Sequence, residues 1–198
     1  SEFYLNLHYL GDQIKKNLGD GERLGVQINY CWEESPTGTA GGVKIFEEEL
    51  VKEESFLVLY GDIVTDEDLS NLIKFHSEHK ASASIYVHQR QDSNSILQFD
   101  ENGKVLEFLE RPSILQKEDF LMRKKSDYFW VNSAIYLLNS SILNCIPKAQ
   151  FSDFPKDIFP LLIKEGSMYA LPIKGKRFAI DSAQRLALAN DYFQEEKI

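Results

Sequence analysis

Hydrophobic and polar positions change period several times along the chain, and each change marks an element. Phe56-Leu57-Val58-Leu59-Tyr60 is an unbroken apolar and aromatic run that ends in Gly61-Asp62. It predicts a strand covered on both faces, as in an α/β sheet, with Asp62 at the carboxyl-terminal end where such folds gather ligands. A helix start follows, with Thr65 as cap and Asp68 three residues on, continuing through Leu69, Leu72, Ile73, His76 and His79. Upstream, a helix fits residues 8–18, capped by Asn6 and stopped by Gly19-Asp20-Gly21. Alternation predicts strands over residues 26–32 and 83–88. Two alternating runs flank Glu101-Asn102-Gly103, a strong hairpin signal because Asn-Gly accepts positive dihedrals. Residues 113–127 are polar and irregular and read as a loop carrying Lys117, Arg123, Lys124 and Lys125. Residues 128–138 return to buried-strand chemistry, interrupted by Asn132. Two short helical units, two short strands and a final helix after Ser182 complete the pattern.

Composition narrows the class without naming a chemistry. The 198 residues suit one domain with a sizeable core, and a formal net charge of -9 argues against a general nucleic-acid or anionic-membrane surface. Cys31 and Cys145 form neither a disulfide framework nor a zinc motif. With no secretory segment and no long apolar span in the text, the default is a cytoplasmic protein. Ser1-Glu2-Phe3 reads as a cloning remnant, leaving residues 4–198 as the domain.

Several polar stretches admit both a chemical and a structural reading. Asp62, between a buried strand and a helix, suits a divalent cation bound to phosphates or the cap of a turn. Gly38-Thr39-Ala40-Gly41 opens a helix; its small residues allow close approach either to a ligand or to packed backbone. Glu110-Arg111-Pro112 presents opposite charges either to a sugar phosphate or to solvent at a strand end. Asn132 contacts a ligand or satisfies a bend. His76 and His79, three apart on one helical face, lack neighbouring ligand residues and favour surface or rim roles over metal binding.

In this order, Gly38-Thr39-Ala40-Gly41, Gly61-Asp62, the Asn-Gly hairpin, Glu110-Arg111-Pro112 and Asn132 resemble the sugar-phosphate nucleotidyltransferases, also called nucleotide-diphospho-sugar pyrophosphorylases. Short mannose-1-phosphate or heptose-1-phosphate guanylyltransferases fit best. The resemblance implies a doubly wound α/β domain around a mostly parallel mixed sheet. It implies a nucleoside triphosphate, with GTP as the guess, joined to a sugar 1-phosphate with release of pyrophosphate, Mg²⁺ as cofactor and a homo-oligomer. Asp62 becomes a metal and nucleotide ligand, Gly38–Gly41 a nucleotide contact, Glu110 and Asn132 substrate contacts. Arg111 becomes a catalytic and substrate-binding cation where the family usually has lysine. Ala134 stands at a common glycine. The family's Gly-rich phosphate loop is not in the text, so the resemblance predicts an amino-terminally truncated, inactive chain. Near the end, the ungapped register puts Ala179 on the second metal Asp, with Asp181 two residues on as a substitute. A non-catalytic regulatory or scaffold paralogue that binds nucleotide sugar is the alternative.

Overall fold

The computed structural model describes residues 1–124 and 127–195. They divide into two compact units, residues 1–53 with 140–158 and residues 54–139 with 159–198, and each is described by itself.

In the first unit, β1 (Glu2–Leu7), α1 (Gly11–Leu18) and β2 (Gln27–Trp32) form a strand–helix–strand unit. The strands run parallel, from Glu2 opposite Gln27 to Leu7 opposite Trp32, and parallel neighbours require such a crossover. Gly11 lets the helix start against Trp32, since a Cβ there would lie 2.5 Å from the indole ring. The expectation of a domain without its first strand is corrected: residues 2–7 form a strand, β1, paired along its length with β2. Asn6 does not cap the helix; its amide donates to Glu33 Oε1 and the Gly42 carbonyl, both at 3.0 Å. Two helices follow, α2 (Gly38–Lys44) and the single turn α3 (Glu47–Leu50). Residues 140–158 return to this unit as 3-10 and π-helical turns, Ser140–Cys145 and Phe154–Ile158.

The second unit holds β3 (Ser55–Leu59), β4 (Ile63–Thr65), α4 (Ser70–His79), β5 (Ala83–Arg90), β6 (Ser95–Phe99) and β7 (Val105–Glu110). They are followed by α5 (Ile114–Lys124), β8 (Phe129–Asn139), α6 (Phe159–Glu165), β9 (Met168–Pro172), β10 (Arg177–Ala179) and α7 (Ala183–Glu195). The main sheet runs β7-β6-β8-β5-β9, with β3 also on β8. Among the described residues β5 with β9 is its only parallel pairing, and the other four are antiparallel. The expected mostly parallel sheet is therefore wrong. The apolar run of β3 misled because it suggested a parallel strand covered on both faces, whereas β3 lies antiparallel to β8 and leaves Leu57 and Leu59 exposed.

The Asn102-Gly103 hairpin forms as expected between β6 and β7. Gly103 sits at φ +83°, and Asp100 Oδ1 accepts from the amides of Asn102 and Lys104. Within the expected loop over residues 113–127, Ile114–Lys124 form the helix α5, and Lys125 lies outside the described residues. Its start is a reciprocal cap: Ser113 N–H donates to Gln116 Oε1 at 2.8 Å and Gln116 N–H to Ser113 Oγ at 3.3 Å. Phe120 on this helix packs with Ile96, Phe129 and Val131, while Lys117 and Arg123 pair with Asp92, Asp119 and Glu107. On α4, Leu72 packs against Tyr86, Ile135 and Leu137. Glu67 closes this core at its edge: its carboxylate accepts from the amides of Lys174 and Gly175 and from the Tyr86 hydroxyl.

Candidate active site

The Asp62 turn is fixed by backbone bonds on three sides. Tyr60 N–H donates to the Ala134 carbonyl at 3.2 Å, Ile63 N–H to the Tyr60 carbonyl at 3.1 Å, and Ile180 N–H to the Asp62 carbonyl at 2.8 Å. Asp62 thus stands at the end of β3, tied both to β8 and to the residue after β10. Its side chain is exposed and forms no ion pair or hydrogen bond among the described residues.

β8 reaches this turn through an irregularity. Ile85 of β5 pairs with Tyr136 but Val87 pairs with Asn132, so extra residues bulge from β8 between those pairings. Ala134 lies inside the bulge at φ +60°, the left-handed conformation that explains why glycine suits this position. Asn132 stabilises the bend with both ends of its amide. Oδ1 accepts from Ala134 N–H at 2.8 Å, and Nδ2 donates to the Tyr136 hydroxyl at 2.7 Å. Tyr136 is fully buried, with its ring edge-on to Tyr60 at 5.7 Å. Burial first, then the Tyr60 hydroxyl, holds the Tyr136 phenol well above its ordinary pKa; the Glu110 charge adds to this and Asn132 opposes it. Asn132 therefore bonds to this phenol, and Glu110 acts on it through its charge.

Arg111 is placed differently. It follows Glu110 at the end of β7 with φ +51°, its N–H bonded to the Asn94 carbonyl, and its side chain is 74% exposed. Its Nε lies 3.9 Å from Glu110 Oε1, a loose surface contact that leaves the guanidinium free to turn.

On β10, Ala179 pairs with Ile63, next to Asp62. Asp181 lies beyond the strand end, and both of its oxygens accept from Arg185 at 2.8 and 2.9 Å, one turn into the helix that Ser182 caps. Among the described residues no three His, Cys, Asp or Glu side chains cluster as a metal site. His76 and His79 do not act together: His76 is buried against Ser84 Oγ, and His79 bonds the Phe75 carbonyl.

In the first unit the helix start at Gly38 is occupied by its own chain. Thr39 N–H donates to Asp153 Oδ1 at 3.1 Å, and the amides of Ala40 and Gly41 donate to the Ser152 carbonyl at 2.9 and 3.0 Å. Gly38 lies at φ +83° and a Cβ there would collide with Ser152 backbone, so its small size serves close packing. A cleft of about 320 Å³ lies beside this segment, bordered by Thr37, Gly41, Lys44 and Gln150.

A family model described as nucleotidyl transferase matches residues 3–177. The chain belongs to that family. It is 31% identical over 179 residues to UTP–glucose-1-phosphate uridylyltransferase of Synechocystis, covering 83% of this chain and 44% of that protein. It is 28% identical over 176 residues to mannose-1-phosphate guanyltransferase beta-B of Xenopus laevis, covering 86% and 46%. The chain thus spans about half the length of the curated relatives it matches. The crystal structure of HddC from Yersinia pseudotuberculosis superposes with a TM-score of 0.75 at 22% identity, covering 97% of this chain and 78% of that one, and shares the fold. The family match begins at residue 3, inside β1.

Sequence reasoning missed three groups beside the Asp62 turn. Arg177 on β10 donates through Nε to the Ser133 carbonyl at 3.1 Å, and His88 Nδ1 lies 2.9 Å from Ser133 Oγ. Both meet at a buried residue of the bulge. Burial, then the charges of Arg177 and Arg90, push His88 down to about 4, so its ring is neutral near pH 7. Tyr136 is the third. The break in the apolar pattern at Asn132 was the one signal that something in β8 needed polar support.

Proposed function

We propose that this chain carries the sugar-phosphate half-site of a nucleotidyltransferase that joins a nucleoside triphosphate to a sugar 1-phosphate and releases pyrophosphate. The observation that carries this reading is the exposed Asp62 carboxylate, in a turn held on three sides by backbone bonds and, among the described residues, without a hydrogen bond or ion pair. Mg²⁺ suits such a position, because it is commonly held by one or two carboxylates together with substrate phosphates. Asp62 would hold it, and when bound it supplies positive charge that stabilises developing negative charge on the phosphates. Asp62 orients the triphosphate, Glu110 and Asn132 border the sugar, and the exposed Arg111 guanidinium reaches for phosphate. Gly38, Thr39, Ala40 and Gly41 lie along the nucleotide in this reading, making contact through side chains and carbonyl edges because three of their amides are engaged.

GTP is the nucleotide we favour, from the mannose-1-phosphate guanyltransferase relatives; UTP is the competitor, from the uridylyltransferase. A cytoplasmic homo-oligomer, with triphosphates at hand, completes the reading. Inactivity of the chain, which the resemblance implies, is tested by the pyrophosphate-release assay. The second reading is a binding paralogue without turnover. Ala179 favours it, since a methyl group cannot ligate, and so does Asp181, which is paired with Arg185. Pyrophosphate release with Mg²⁺, across GTP and UTP and across mannose, glucose and heptose 1-phosphates, decides between them. Turnover with one pair supports the enzyme. Saturable binding of a nucleotide sugar without turnover supports the paralogue, and neither outcome leaves the family chemistry without a role here.

A further inference from the structure

Beside Asp62 the strand β10 offers a cation where a carboxylate was expected. Arg177 pairs with Thr65 and Ala179 with Ile63, and alternate residues of a strand face the same side. The side of β10 that presents a methyl group at Ala179 therefore presents a guanidinium at Arg177.

That guanidinium is half-buried and under-used. Among the described residues its Nε makes a single bond, to a neutral carbonyl of Ser133, and it forms no ion pair. The surrounding charges do not neutralise it. Arg90, at the end of β5, and Arg185 repel it; Asp62 and Asp181 attract it more weakly than Arg90 repels it, and Asp181 is already paired with Arg185. His88, the nearest titratable group on β5, is neutral and turned to Ser133. A partly buried guanidinium without a matched anion is costly unless a ligand brings one. The planar fork of arginine presents two parallel donors suited to a phosphoryl group.

We propose that Arg177, assisted by Arg90, is a phosphoryl-binding residue of the Asp62 site. Its terminal amino groups hold a substrate phosphate while Ser133 fixes the Nε edge. The inference rests on the reading of the Asp62 turn as a phosphoryl-transfer site and assigns that site a cation the family motifs do not mark. The shared chemistry is a phosphoryl dianion, which either the sugar 1-phosphate or the polyphosphate can supply.

Binding of three probes to the full chain tests it: glucose 1-phosphate, inorganic pyrophosphate and GTP, each titrated by calorimetry at two salt concentrations. Arg177→Ala is expected to weaken at least one probe by about 10- to 100-fold, the range for a hydrogen bond between charged partners, and to flatten its salt dependence. Arg90→Ala, on an exposed side chain, weakens the same probe by about 3- to 10-fold at low salt. Loss confined to glucose 1-phosphate assigns the sugar phosphate, and loss confined to pyrophosphate and GTP assigns the polyphosphate. Arg177→Lys keeps the charge without the fork and is expected to fall between wild type and Arg177→Ala; it carries the test if the alanine variant fails to fold. Wild-type affinity in both Arg177→Lys and Arg90→Ala overturns the proposal while leaving the proposed function standing. A wild-type chain that binds none of the probes overturns both.

Discussion

The Gly38–Gly41 helix start and the Asp62 turn are both short, glycine-containing links between regular elements, yet they treat their polar groups in opposite ways. At the helix start, Thr39, Ala40 and Gly41 direct their amides to Asp153 and Ser152, and Gly38 yields space to the same backbone. At the turn, backbone bonds fix Tyr60, Asp62 and Ile63, but among the described residues the Asp62 carboxylate forms no hydrogen bond or ion pair and the Arg177 guanidinium makes one bond, to a neutral carbonyl. The first arrangement is self-sufficient, and its residues are needed whether or not anything binds. The second is rigid and incomplete, which is the condition of a site arranged for charge that arrives from outside.

Substitutions sharpen this contrast. The largest effect belongs to Asp62→Asn: turnover in the pyrophosphate assay is expected to fall by about 100-fold or more, with the urea midpoint unchanged, since the carboxylate supports no contact of the fold. A large loss of stability would instead make Asp62 a structural cap. Gly38→Ala should do the reverse. Positive φ and collision with Ser152 should lower stability by about 2 kcal/mol in urea unfolding, with far-UV circular dichroism confirming that the fold persists. A neutral result would mean that the segment yields easily and is not held by packing. Asn132→Ala is expected to cost about 1–3 kcal/mol, because it strands the Ala134 amide and removes one partner of the buried Tyr136 hydroxyl. It should also reduce turnover, since the same bulge carries the carbonyl that fixes Tyr60. The smallest effect is Ala134→Gly. Relief of the left-handed strain offsets the greater freedom of glycine in the unfolded chain, so stability should change by less than about 0.5 kcal/mol, against the loss of about 1 kcal/mol usual for glycine within regular structure.

The two faces of the comparison were unequally legible. Local chemistry revealed the hairpin at Asn102-Gly103, the break at Asn132 and the cap at Ser182, because each depends on residues within a few positions. The helix α5 was missed, because its polar composition hid the Ser113–Gln116 cap. Strand direction was not legible. An apolar run predicts a strand, whereas parallel or antiparallel pairing depends on partners 76 to 84 residues away, as for β3 on β8. The role of Arg177 was hidden for the same reason: nothing near it in sequence mentions Ser133 or Asp62.

By itself, the sequence determined the family and the element types where period and turn residues agree, and it singled out Asp62, Glu110, Arg111 and Asn132 as the candidates in their segments. Each is a property of residue type and short spacing. Only the tertiary structure decided that β8 bulges at Ala134, that Asn132 bonds to Tyr136, that Asp181 pairs with Arg185, and that a guanidinium stands beside the Asp62 turn. Those outcomes depend on strand register and on which charges burial leaves unpaired, and both are fixed by long-range pairing that no local pattern encodes.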